Sequence, residues 1–172
     1  MKAVLLCAGK GTRLKPLSDI LPKCLMPIRG QPLLDIWLQK LHSTKLISKV
    51  LINVSYKKEL IIKYIKNSNW HSFVEIVEED SPIGTGQTLL QNINFFEGKD
   101  LFVAHADNFI DCDLREFIKS KDSMYRGSVC QMMVFETHNP ELCGIVEIND
   151  KDIVINFHEK QKTNNGNLAN GA

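Results

Sequence analysis

The opening stretch MKAVLLCAGKGTRLKPLSDILPKCLMP places two glycines, Gly9 and Gly11, a guanidinium at Arg13 and an ammonium at Lys23 just after the first apolar run. Glycine lets the backbone turn several N–H groups into one concavity, and such a concavity cradles phosphate oxygens. Cations close behind it suit a polyphosphate. Spacing excludes two familiar loops of this kind. A Walker A loop needs Gly, four residues and then Gly-Lys-Ser/Thr, but Gly9-Lys10 is followed by Gly11 and the position five before Gly9 is Val4. The dinucleotide fingerprint GxGxxG needs a glycine where Leu14 stands. What remains is G-x-G-T-R-L-x-P-L from Gly9, followed by P-K-x-L-x-P from Pro22 to Pro27.

The elements that must position this loop follow from periodicity. Val4 to Ala8 has the continuous apolar character of a strand covered on both faces. Leu34, Trp37, Leu38 and Leu41 form one helical stripe, read as core rather than as an oligomer interface. Strands are expected at 49–54, 73–79 and 100–107, with helices at 57–67, after SPIGTG and at LREFIKSK. Alternating strands and helices argue for a mostly parallel, doubly wound α/β sheet, which binds ligands at the carboxyl ends of its strands. From GSVCQMMVFE onward, CGIVEIN and DIVINFHE follow as strands without intervening helices, an antiparallel extension. The polar, small-residue stretch KQKTNNGNLANGA reads as a loop.

Composition narrows the function. The chain has 172 residues, 44% hydrophobic and 24% charged, with a net charge of +1. That is ordinary globular composition for one domain, with no basic run or aromatic platform for nucleic acid. The five cysteines are odd in number and form no CxxC pair. Two of them lie in strand-like runs, so a reduced, cytoplasmic setting is expected. No stretch has the length of a membrane span, and no His/Cys spacing supports zinc.

The Gly9–Leu17 and Pro22–Pro27 motifs together closely resemble the signature of the sugar nucleotidyltransferases, which join a nucleoside triphosphate to a sugar 1-phosphate and release pyrophosphate. Later segments resemble the family in the same order: EEDSPIGTGQTL, its second nucleotide-binding segment; HADN, its metal-binding aspartate; CGIVEIND and FHEKQ, its sugar-contacting pieces; and NLANGA, an Asn/Gly stretch. The resemblance implies a Rossmann-like nucleotide-diphospho-sugar transferase fold over 1–172. It implies that Ala8, Gly9, Gly11, Thr12, Glu79, Gly84 and Thr85 bind nucleotide, that Arg13 stabilises the leaving pyrophosphate, and that Lys23 bridges the α-phosphate and the sugar phosphate. Asp107 would hold Mg²⁺, Lys160 would reach the sugar phosphate, and Gly144, Glu159 and Asn170 would meet the sugar.

A sugar 1-phosphate is already anionic at neutral pH, so the chemistry needs alignment and charge neutralisation rather than a general base. Base choice turns on Glu79, where several thymidine- or uridine-using relatives have Gln. One carboxylate can accept from both N1–H and N2–H₂ of guanine, which favours GTP, with mannose 1-phosphate or a related sugar as acceptor. A solvated strand-end acid beside Glu78 and Asp80 is the other reading of Glu79.

Two departures stand out. Gln161 replaces the usual proline after Glu-Lys, and the chain stops at Ala172, before the family's second metal-binding aspartate. A fragment lacking its C-terminal part is expected. The alternatives are a phosphocholine cytidylyltransferase and a catalytically weak nucleotide-binding or regulatory domain.

Overall fold

A computed structural model describes residues 1–159 and 166–171. They cluster into two compact units, Met1–Arg115 and Glu116–Ala172.

In the first unit, β1 (Lys2–Leu6) leads through three short 3₁₀ turns and the hairpin β2 (Pro27–Ile28) and β3 (Gln31–Pro32) to α1 (Leu33–Ser43). Then follow β4 (Val50–Val54), α2 (Lys58–Lys66), β5 (Val74–Glu78), α3 (Thr85–Gln91), α4 (Ile93–Phe96), β6 (Leu101–His105) and the start of α5 (Leu114–Lys119). The sheet runs in the order β5-β4-β1-β6, all parallel. Strand β1 therefore lies between the two directions in which the chain winds, and the crevice at the ends of β1 and β6 is a topological switch point.

Alternation along β1 divides the core. Val4 and Leu6, with Leu51, pack against Val77, Leu89, Phe95, Leu101 and Val103. On α1, the stripe of Leu34, Trp37, Leu38 and Leu41 is buried as its spacing predicts. Trp37 meets Phe102 with ring centroids 6.2 Å apart. Burying each such side chain contributes about 1.5–3 kcal/mol. Trp37 also anchors the loop after β6, because its indole N–H donates to the Asn108 carbonyl at 2.8 Å.

The second unit contains β7 (Val134–Glu136), β8 (Gly144–Ile148), β9 (Val154–Glu159) and β10 (Leu168–Asn170) in the order β7-β10-β8-β9, antiparallel throughout. This is the expected antiparallel extension, with two corrections. The long apolar run before residue 134 forms a strand only over Val134–Glu136. The stretch read as a loop contains β10, whose three residues pair with β7 on one side and β8 on the other. Weak local propensity is outweighed there by hydrogen-bonding partners on both edges. The cysteines also differ from expectation, for none lies inside a strand: Cys7 follows β1, Cys143 precedes β8, and Cys130 is exposed.

Candidate active site

The first strand stops because its next amide is taken by a side chain. Cys7 N–H donates to Oδ1 of Asn53 at 2.9 Å instead of continuing the β1–β4 ladder, and the chain leaves the sheet as Ala8 and Gly9. Beyond them Gly11 turns with φ +63°, and a Cβ there would sit 3.3 Å from the Cβ of Lys23. Glycine thus permits both the left-handed turn and the close approach of the loop to the 3₁₀ turn Lys23–Leu25.

Around this break lies a cleft of about 600 Å³ counting its open mouth, a size suited to a small ligand. Its walls include Ala8, Gly9, Lys23, Glu79, Gly84, Thr85 and Asp107. Seven residues expected from separate parts of the sequence thus meet in one place. Gly11, Thr12 and Arg13 do not line it: Thr12 and Arg13 are exposed on the 3₁₀ turn Thr12–Leu14 just beyond it.

At the β1–β6 side of the cleft, Lys23 Nζ donates to Asp107 Oδ2 at 2.5 Å, with both side chains about 30% exposed (29% and 31%). On the other side stands Glu79, only 7% exposed. Its Oε1 accepts from Asn53 Nδ2 at 2.9 Å and from the Thr88 hydroxyl at 2.6 Å, and its Oε2 accepts a longer bond from the Ile83 amide at 3.4 Å. Glu79 is therefore not the solvated strand-end acid that its neighbours Glu78 and Asp80 suggest. It is a buried carboxylate with one oxygen committed to the fold and the other only weakly engaged.

Asn53 and Thr88 escaped the sequence reading. The signal for Asn53 is a polar residue in the wholly buried strand VLINV, where an amide must find partners. Thr88 is wholly buried on α3. Cys7 and Cys24 also line the cleft. The Cys7 thiol is pushed well above its usual pKa, first by its hydrogen bond to Cys24, then by burial, with the charges of Cys24 and Asp107 adding to both.

Among the described residues no three His, Cys, Asp or Glu side chains converge to hold a metal. With Glu79 tied to Asn53 and Thr88, Asp107 is the carboxylate the cleft can offer. One such ligand fits Mg²⁺, which keeps several waters and is bound through one or two carboxylates plus phosphate oxygens.

In the second unit, Gly144 pairs with Glu159 across β8 and β9, and Asn170 follows the Ala169–Ile145 pair of β10 and β8. The fold thus brings these three expected residues onto adjoining strands. A Cβ on Gly144 would lie 2.6 Å from Cζ of Phe157, so the Phe157 ring occupies the space the missing side chain leaves. Lys160 and Gln161 lie outside the described residues. His158, on β9, pairs with Glu147 at 2.7 Å.

Similarity to known proteins runs the length of the chain. The Nucleotidyl transferase family model matches residues 2–172. The chain is 35% identical over 170 residues to the bifunctional protein GlmU of Methanocaldococcus jannaschii, covering 99% of this chain and 38% of that protein. It thus spans well under half the length of that relative. It is 33% identical over 171 residues to the D-glycero-alpha-D-manno-heptose 1-phosphate guanylyltransferase of Campylobacter jejuni, covering 99% of this chain and 73% of that protein. The crystal structure of HddC from Yersinia pseudotuberculosis complexed with GMP-PN superposes with a TM-score of 0.78 at 26% identity, covering 99% of this chain and 73% of that one. A Bacillus anthracis structure shares the fold, with a TM-score of 0.87 at 20% identity over 99% of this chain and 68% of its own. With Gly9, the paired Lys23 and Asp107 and the buried Glu79 in one cleft, and a family match running from residue 2 to residue 172, the chain belongs to the sugar nucleotidyltransferase family.

Proposed function

We propose that this chain transfers a guanylyl group from GTP to a sugar 1-phosphate, mannose 1-phosphate or a related sugar, releasing pyrophosphate. The observation that carries this reading is a cleft with a Lys23–Asp107 pair on one side and a single weakly engaged carboxylate oxygen, Oε2 of Glu79, on the other.

An oxygen of the sugar phosphate attacks the α-phosphorus as the bond to the departing pyrophosphate breaks. The backbone of Gly9, Gly11 and Thr12 cradles the triphosphate, and Arg13 swings from its exposed turn onto the pyrophosphate, where its planar fork can donate two bonds. Lys23 leaves Asp107 to stand between the two phosphates as a point charge. Asp107 would hold Mg²⁺, which when bound supplies positive charge to phosphate oxygens. Glu79 accepts from the guanine edge through Oε2 while Asn53 and Thr88 keep Oε1 fixed, and Ala8, Gly84 and Thr85 border the base. The guanine preference is also supported by the guanylyltransferase named among the relatives. Gly144, Glu159 and Asn170 keep the sugar contacts, and Lys160 the sugar phosphate, that the family resemblance gives them. A cytoplasmic setting accords with a reduced cysteine set, and no helix among the described residues is long and apolar enough to cross a membrane.

The test is pyrophosphate release with Mg²⁺ and each of GTP, UTP, dTTP, CTP and ATP against a panel of sugar 1-phosphates. Release with GTP and a mannose-type sugar phosphate is expected. Release with another base alone would overturn the assignment of Glu79.

A further inference from the structure

Strand β4 lies between β1 and β5, and Asn53, one residue before its end, is 3% exposed. Its backbone pairs with Leu6 of β1 on one side and Val77 of β5 on the other. The side chain serves residues just past the ends of both neighbouring strands. Oδ1 accepts from the Cys7 amide at 2.9 Å, while Nδ2 donates to Oε1 of Glu79 at 2.9 Å and, in a longer bond of 3.4 Å, to the Thr88 hydroxyl.

These bonds have a fixed polarity. A backbone N–H can only donate, so the Asn53 atom that faces Cys7 is its oxygen and the NH₂ is left for Glu79. The Thr88 hydroxyl directs its own proton to the same Oε1 at 2.6 Å. Two donors therefore converge on one oxygen of Glu79. The other, Oε2, holds only the 3.4 Å bond from the Ile83 amide.

We infer that Asn53 is a specificity-determining positioning residue: through it the Cys7 amide dictates that the inner atom of residue 79 is an acceptor, and thereby which edge residue 79 presents to a ligand in the cleft. For the natural glutamate that edge is the acceptor Oε2. A glutamine in its place turns its carbonyl inward and its NH₂ outward, because an inward NH₂ would meet the NH₂ of Asn53 and leave buried donors unpaired. An aspartate at 53 reverses the order. It still accepts from Cys7, but it offers a second acceptor to residue 79, so a glutamine there turns its NH₂ inward and its carbonyl outward, where the Ile83 amide also finds an acceptor. The Thr88 hydroxyl rotates to suit either arrangement. Each holds one buried carboxylate. The consequence for base choice rests on the guanylyltransferase reading, whereas the relay itself does not.

The experiment measures the dissociation constants of GTP and UTP in Mg²⁺, and the urea midpoint, for the full chain, Glu79→Gln, Asn53→Asp and the double variant Asn53→Asp, Glu79→Gln. The preference for GTP over UTP should fall about tenfold in Glu79→Gln and recover most of that loss in the double variant. Asn53→Asp alone sets two carboxylates face to face, so its midpoint should drop and the second substitution should raise it again. A purely structural role for Asn53 gives a different result, with the double variant no more selective than Glu79→Gln. A midpoint no higher than that of Asn53→Asp, or a recovered midpoint with the selectivity of Glu79→Gln, would each overturn the proposal. The unsubstituted chain supplies a further reading: a scalar coupling across the hydrogen bond from the Cys7 amide nitrogen to Asn53 Cγ reports the side chain's orientation by nuclear magnetic resonance, and its absence would also overturn the relay. A relay upheld by that coupling and by the recovered midpoint, in a chain that does not prefer GTP at the outset, would remove the guanylyltransferase reading alone.

Discussion

Lys23 Nζ and Asp107 Oδ2 stand 2.5 Å apart although 84 positions separate them in the sequence. Each is the other's counter-ion, so neither charge faces the cleft alone. The pair is a third exposed, and breaking it should cost about 1 kcal/mol of stability. Turnover is different. Lys23→Ala and Asp107→Ala should each lower pyrophosphate release by about a hundredfold or more, with melting temperatures close to the parent. Near-native rates in either variant would remove that residue from the mechanism.

Glu79→Gln keeps one acceptor for Asn53 and Thr88 but sets an amide NH₂ in place of the weakly engaged Oε2. Guanine's donors would then meet a donor. The specificity ratio of GTP over UTP, taken from kcat/KM, should fall by about ten- to a hundredfold. An unchanged ratio would separate Glu79 from base choice.

Thr88→Val removes a donor from the buried Oε1 while nearly preserving volume. Leaving that oxygen with only the Asn53 bond should destabilise the fold by about 1–3 kcal/mol. Urea denaturation measures it, and a Thr88→Ser variant, which restores the hydroxyl, should recover most of the loss.

Gly144→Ala would place a methyl 2.6 Å from the Phe157 ring. Overpacking of this kind costs about 1–3 kcal/mol. The double variant Gly144→Ala, Phe157→Leu should recover stability, and a loss equal to the sum of the two single changes would show that the rings and the glycine are not coupled.

Tyr64 has its hydroxyl pKa pushed up to about 12, mainly by burial, then by the charge of Asp35 and its hydrogen bond to that carboxylate. The folded chain therefore holds a proton that the unfolded chain loses near pH 10. Its contribution is intact below pH 10 and declines as pH rises from there to about 12. Tyr64→Phe should abolish this part of the alkaline decline in urea midpoints and delete one phenolate titration near pH 12; an unchanged alkaline profile would dissociate Tyr64 from it.

Local pattern alone located most of what positions the site. The strands around residues 4, 50, 76 and 103 are apolar runs short enough to be recognised, and the α1 stripe buries the residues its 3.6-residue period selects. The Gly9 to Pro27 motifs named Gly9 and Lys23, which line the cleft, since loop chemistry depends on neighbours in the chain. β10 was beyond such reading, for its three residues have little strand propensity and are ordered by β7 and β8.

The sequence by itself determined the fold class and the family. Tertiary structure alone decided that Glu79 is buried with Asn53 and Thr88 and that Lys23 pairs with Asp107. The physical reason is range. Periodicity and turn chemistry act within a few residues, whereas a carboxylate's solvation and a lysine's counter-ion depend on which distant strand ends the sheet order brings to one crevice.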